Sequence, residues 1–470
     1  MLSTITKVSK KPFFYPLVLF LVGLASYGLL LSKSGFYWDD WESVYLSALH
    51  NPGVSIHYFS ERPLSVLIYL LLFPITKMTP LTWIIVEFGL RWIGILGIYY
   101  ALCQVWPTRI FQNRWIGILL FVFPAFLSQP IALCYSRHFA SFALYGISLS
   151  LTFLALKDQK RFWLWMSLSV LSGWGQIFMI EYFIGLEILR PVLIWFFLEQ
   201  QENLNKKAAL KKTFLLWSPF IVGLLVYFWW RFVSLPQSLS GSDPNNPSLL
   251  KAFLHSPFQI MVKLLGMSLQ DLWYLVCAIW ANGFTTEKFA FLHSKIAILA
   301  WTLAILASSL TVFYLQISKP TDDQTGKNKV FLQMLLLGFL AFFAGGISVW
   351  ATARQITIGK WSDRFALAPL VGAAILIVCV IDWLMRTRGQ KQALLSFLLA
   401  ISIAIQIFNV NDFRTDWALQ KGFYWQLAWR IPALKPGTAI IGRGTLTDKS
   451  SYYDGIYIVN LLFDKQVKTN

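Results

Sequence analysis

Three carboxylates fall within four residues of the stretch Gly35-Phe36-Tyr37-Trp38-Asp39-Asp40-Trp41-Glu42, among four aromatic rings. Adjacent like charges repel, which raises the pKa of one member of the Asp39–Asp40 pair and suits it to work as a general base. The same two carboxylates are hard oxygen ligands of the kind that Mg²⁺ or Mn²⁺ takes. A plainer role competes with both. Either aspartate can cap a helix that starts at Trp41, accepting backbone N–H bonds at its positive end.

The counter-charges are arginines. Arg62, Arg137, Arg231, Arg354 and Arg364 stand near the ends of apolar segments, where arginine either anchors a helix by snorkelling or meets an anion. Arg137 and Arg364 are the favoured phosphate contacts, followed by Arg354 and Arg62. Asp363 is placed to cap a helix or to pair with Arg364. A second tier comprises Glu42, Glu181, Tyr182 and His138. Glu181 has no basic neighbour in sequence and is expected to face a cavity, and His138 reads more simply as a buried, satisfied histidine. His50 and His57 lack the i,i+4 spacing of helical metal ligands. Glu87 with Arg91, and Glu187 with Arg190, are spaced as helical ion pairs that neutralise one another.

The elements that must position these groups are membrane helices. Of 470 residues 57% are hydrophobic and 13% charged, against about 25% charged in ordinary soluble domains. A soluble fold of this length cannot hide so much apolar surface. The chain therefore reads as an all-α polytopic membrane protein embedded in a lipid bilayer. The net charge of +18 does not imply nucleic acid, because the basic residues sort by membrane side. Apolar segments at 13–32, 81–104, 115–129, 130–156, 162–180, 182–198, 214–233, 296–317, 330–350, 365–385 and 392–409 make eleven expected spans, within a range of ten to thirteen. Taking 63–79 as an interfacial helix leaves eighteen Lys and Arg in the short loops of one side, against seven in the short loops and loop ends of the other. The positive-inside bias then puts the N-terminus in the cytoplasm and the C-terminus outside.

On this reading the outer side holds a first loop (33–80), a large loop (234–295) with one or two membrane-hugging helices, and a polar C-terminal segment (410–470). Residues 1–409 form the membrane domain. The C-terminal segment is expected to be mixed, with strand-like runs at Thr438–Ile441 and Ile456–Phe463. Cys103, Cys134, Cys277 and Cys379 lie in apolar runs and read as small buried hydrophobes. No phosphate-binding Gly-rich loop with its Lys and Ser/Thr is present, and no cytoplasmic domain is large enough for a nucleotide-sugar.

One ordering of features carries a resemblance. A first helix leads into an outer loop that opens on Asp39-Asp40. Glu61-Arg62-Pro63-Leu64 then opens the interfacial helix, and Ser136-Arg137-His138 follows Phe123-Pro124. This order resembles the GT-C superfamily of integral-membrane glycosyltransferases, in particular bacterial protein-mannosyltransferase-like and aminoarabinose-transferase-like members. The motif support covers roughly residues 13–200. The resemblance implies transfer of a sugar from a polyprenyl-phosphate-linked donor to a lipid, glycan or protein acceptor, at the outer face of a bacterial cytoplasmic membrane. It implies that Asp39, or Asp40 beside it, is the base, and that a Glu recurs near Glu181. No carboxylic general acid is required, since the leaving group is a phosphate that cations can stabilise. The rival functions are a transporter or flippase of lipid-linked glycans and a non-catalytic scaffold. A transporter predicts charges strung along several helices near the midplane.

Overall fold

A computed structural model describes residues 14–49, 55–56, 58–201, 204–235, 248–318, 327–359, 361–441, 449–450 and 453–463. His50, His57 and the basic N-terminal residues 1–12 lie outside them. Among the described residues every regular element is helical and no strand forms. Each of the eleven expected segments is helical over most of its length. Among the described residues eight helical segments are long and apolar enough to cross a membrane: Phe14–Leu31, Pro80–Val105, Ala132–Lys157, Lys206–Ser234, Pro257–Phe284, Lys295–Ile317, Asn328–Trp350 and Arg388–Arg430.

Pro257–Phe284, expected to hug the membrane, is an α-helix to Val276 followed, after a turn at Cys277, by a 3-10 helix to Phe284, and together they are apolar and long enough to cross a membrane. Two expectations about the elements change. The expected spans 115–129 and 365–385 are shorter, at Ile110–Val122 and Pro369–Leu384. Pro124 stops the first of these, because proline has no N–H for a helical ladder, and Pro130 precedes the start of the next helix. Finally, Ile456–Phe463 is not a strand but part of the helix Asp454–Phe463, and Thr438–Ile441 is irregular. Asp454 supplies a negative charge to the first turn of that helix. Packing against the first loop overrides the β preference of Ile-Tyr-Ile-Val. Of the cysteines, Cys134 and Cys379 are buried as expected, but Cys103 is half-buried and Cys277 is exposed.

The elements that matter for the site are α1 (Phe14–Leu31), α2 (Asp40–Ala48), α3 (Ser65–Thr76), α4 (Pro80–Val105), α5 (Ile110–Val122), α6 (Ala132–Lys157), α7 (Pro369–Leu384), α8 (Arg388–Arg430) and α9 (Asp454–Phe463). Helices α4 and α6 meet at Gly97 and Gly146, where a methyl group on either would lie 2.3 Å from a backbone atom of the facing helix. Small residues allow this close approach, the usual source of affinity between helices in lipid. α8 has 43 residues, so it is roughly 65 Å long and far exceeds a hydrocarbon core of about 30 Å. Its continuity across residue 410 ties the C-terminal segment to the bundle.

Polar side chains hold the break between α5 and α6. Asp363 accepts the N–H groups of Leu127 and Ser128, each at 2.8 Å, and the Ser128 hydroxyl. Gln406 of α8 donates to the carbonyls of Phe123 and Phe126 at 3.0 and 3.2 Å. Asn409 donates to the Leu127 carbonyl. Buried backbone groups freed by the prolines thus find partners. The result is a fixed start for α6, the helix that carries Arg137 and His138.

Candidate functional site

The two adjacent aspartates do different things. Asp40 is buried, with 1% exposure. Its Oδ1 accepts the Cys134 N–H at 2.7 Å and its Oδ2 the Tyr37 N–H at 3.3 Å. It therefore caps the first turn of α6 from a distance and stitches that turn to the first loop. Asp39 sits at the N-cap position of α2, but its side chain makes no capping bond. Its Oδ1 accepts the Tyr453 hydroxyl at 2.6 Å. Burial pushes the Asp39 carboxyl above the usual range, and the Tyr453 bond and the charges of Arg137 and Arg364 pull the other way. Burial also raises Asp40, further than Asp39, and Glu42, which takes hydrogen bonds from Tyr58 and from Tyr457 at 2.9 Å.

Arg364 and Arg137, the two favoured cations, both act on Asp39 electrostatically. Arg364 lies 5.0 Å from the Trp38 ring centre and 5.2 Å from that of Phe365. Arg137 lies over Phe59 at 5.4 Å. The Nε of each is buried without a hydrogen-bond partner among the described residues. Arg354 packs over Phe365 at 5.4 Å. The hydrogen bonds of the Asp363 carboxylate go to residues 127–128, and Arg364 acts on it through charge alone. Tethering Asp363 in this way aims the next residue, Arg364, at the first loop.

Two expectations for this region are corrected. Glu181 does not face a cavity unpaired: Arg62 forms a bidentate salt bridge with it, including an Nε–Oε2 bond of 2.9 Å. Burial opposes ionisation of Glu181, but the Arg62 charge wins and draws its pKa down to about 2. Arg62 is thus committed to a carboxylate, not held ready for a phosphate. Arg231 pairs likewise with Glu61 at 3.3 Å. His138 is buried between Tyr135 and Tyr182, at 4.9 Å from each ring, with its Nδ1 unpartnered. Tyr182 stacks on Phe365, which brings it to the arginine cluster.

The most constrained feature was not singled out from the sequence. Trp38 and Trp361 both have left-handed backbones, with φ of 48° and 67°. Their rings stack at 4.4 Å and 5°. Such a backbone costs non-glycine residues on the order of 1–3 kcal/mol and persists where the surroundings dictate it. The stack joins the residue before Asp39 to a residue three before Arg364. It sets the distance between base candidate and cation candidate. A positive φ at tryptophan has no sequence signature, although Gly359 marks a turn nearby.

Both Asp40 oxygens are committed to backbone N–H groups, and among the described residues no group of three His, Cys, Asp or Glu side chains gathers as metal ligands. Comparison with protein families, with curated proteins and with solved structures found no match.

Proposed function

We propose that this chain is a membrane glycosyltransferase that moves a sugar from a polyprenyl-phosphate-linked donor to an acceptor hydroxyl at the outer membrane face. The observation that supports this most is the geometry around Asp39: a carboxylate at an N-cap position that caps nothing, influenced by two arginines with unpartnered Nε groups. In the reaction Asp39 takes the proton of the acceptor hydroxyl. The acceptor oxygen attacks the anomeric carbon as the bond from that carbon to the phosphate oxygen breaks. The departing lipid phosphate keeps the electron pair, and Arg364 and Arg137 stabilise its charge. The Tyr453 hydroxyl occupies the bond that the acceptor hydroxyl would make, so the acceptor must displace it.

The transporter reading draws no support from the helices. Two pairs of charges inside the bundle are matched locally, Glu187 by Arg190, and Glu87 with Arg91 through the bridging amide of Gln129. The test is release of labelled sugar from a polyprenyl-phosphate donor to acceptor by the purified protein. Wild type is expected to turn over, and a protein that moves the intact lipid-linked sugar across vesicles without cleaving it overturns the proposal.

A further inference from the structure

A groove of about 480 Å³ opens where α1 ends, between Ser32, Lys33 and Ser34 on one side and α8 on the other. Three cations line it, Lys33, Arg414 and Lys421, and no carboxylate does. The nearest acids on α8 are turned to other work. Asp416 accepts from Gln420 at 2.6 Å and from the Lys449 N–H at 3.1 Å. Asp412 is influenced by Lys449 and Lys288. Arg414 spends one terminal nitrogen on Asn411 at 2.8 Å, while its Nε is buried without a partner.

The groove has a built wall. Trp417 packs so closely on the first loop that a methyl group on Gly35 would lie 1.9 Å from its indole. Lys421 is held over the same indole at 5.7 Å, so the wall fixes a charge as well as a shape. Three cations in a concave site whose lining holds no carboxylate favour an anionic ligand. A tetrahedral dianion answers that charge and offers acceptors to the Arg414 Nε. The place fits too. The apolar run of α1 stops at Leu31, just before Lys33, and Leu29 and Leu419, near the lining residues in sequence, are exposed, so a charged head and an apolar tail each have a matching surface.

We propose that this groove binds a phosphate group, at a site separate from the arginines beside Asp39. The phosphate belongs either to an anionic phospholipid headgroup or to a soluble phosphorylated molecule. The test is native mass spectrometry of the full-length protein with phosphatidylglycerol and, in parallel, phosphatidylcholine, together with calorimetric titration of inorganic phosphate. Wild type is expected to retain phosphatidylglycerol and not phosphatidylcholine, and the double variant Arg414→Gln/Lys421→Gln to lose at least tenfold in affinity. Retention of the lipid with no response to phosphate assigns a headgroup, whereas competition by phosphate assigns a soluble ligand. Lys33→Gln, at an exposed position, is expected to weaken binding severalfold and guards against misfolding of the double variant. Equal retention of both lipids, or equal phosphatidylglycerol binding by wild type and all variants at matched melting temperature, overturns the proposal. Because the readout is binding, its failure leaves the glycosyltransferase reading untouched.

Discussion

Two buried clusters of charge in this molecule are built on opposite principles. Deep in the bundle, Arg190 pairs with Glu187 and also donates to Thr152 at 2.6 Å and Ser148 at 2.9 Å, with Phe220 against its face at 3.8 Å. Every charge there is answered within the protein. At the end that carries the first loop, Arg364 and Arg137 rest on aromatic rings with an Nε left over, and Asp39 accepts a tyrosine hydroxyl and feels both arginine charges without forming an ion pair that ties them up. A closed cluster holds helices together. An open one retains the capacity to bind and react, and the stacked, left-handed Trp38 and Trp361 hold it open.

Substitutions break the two clusters in different ways. The largest effect is expected at Asp39→Asn, with sugar transfer reduced about 10²–10⁴-fold as the base is lost and the melting temperature little changed. In the closed cluster the order is reversed. Arg190→Gln leaves Glu187 unpaired in the bundle and is expected to cost about 3–5 kcal/mol in stability, read by thermal or denaturant unfolding in detergent, with lower yield of folded protein rather than a selective catalytic defect. Arg364→Gln is expected to lower kcat about 10²–10³-fold, as for loss of one donor to a developing negative charge, at near-normal stability. Asp40→Asn keeps one of two acceptors for backbone N–H groups, so a loss of about 1–3 kcal/mol in stability is expected, with activity retained in the folded fraction.

The pH dependence sharpens the split between the two aspartates. Burial raises both pKa values above the ordinary Asp range. Asp39 must be ionised to act, so activity is expected to fall as pH drops through a pKa above about 3.9. Asp40 binds its proton more tightly folded than unfolded. Stability is therefore expected to rise as pH falls through its folded pKa and to level off below the unfolded value. Asp40→Asn should remove that component from a plot of melting temperature against pH.

The helical, membrane-type architecture was legible because apolar runs of crossing length leave few alternatives. Helix boundaries were not, and Pro257–Phe284, ambiguous in sequence because Lys263 and Asp271 interrupt its apolar run, is helical over most of its length and long enough to cross a membrane. The neighbourhood of Asp39, Arg137 and Arg364 was foreseen from positions at segment ends. Their chemistry was separable only in three dimensions. Nothing in the sequence says that Asp40 reaches Cys134, 94 residues away, or that Arg62 turns to Glu181 across 119 residues. Tyr453 and Tyr457 were missed because a strand-like run concealed a helix that packs on the first loop. Tyr453, just before that helix, donates to Asp39, and Tyr457 within it donates to Glu42.

The most direct test is the rate of sugar release from a polyprenyl-phosphate-linked donor by purified wild type, Asp39→Asn and Asp40→Asn, each at matched folded concentration. The open-cluster account predicts turnover by wild type, a loss of two orders of magnitude or more in Asp39→Asn, and substantial activity in Asp40→Asn. Full activity in Asp39→Asn would contradict it.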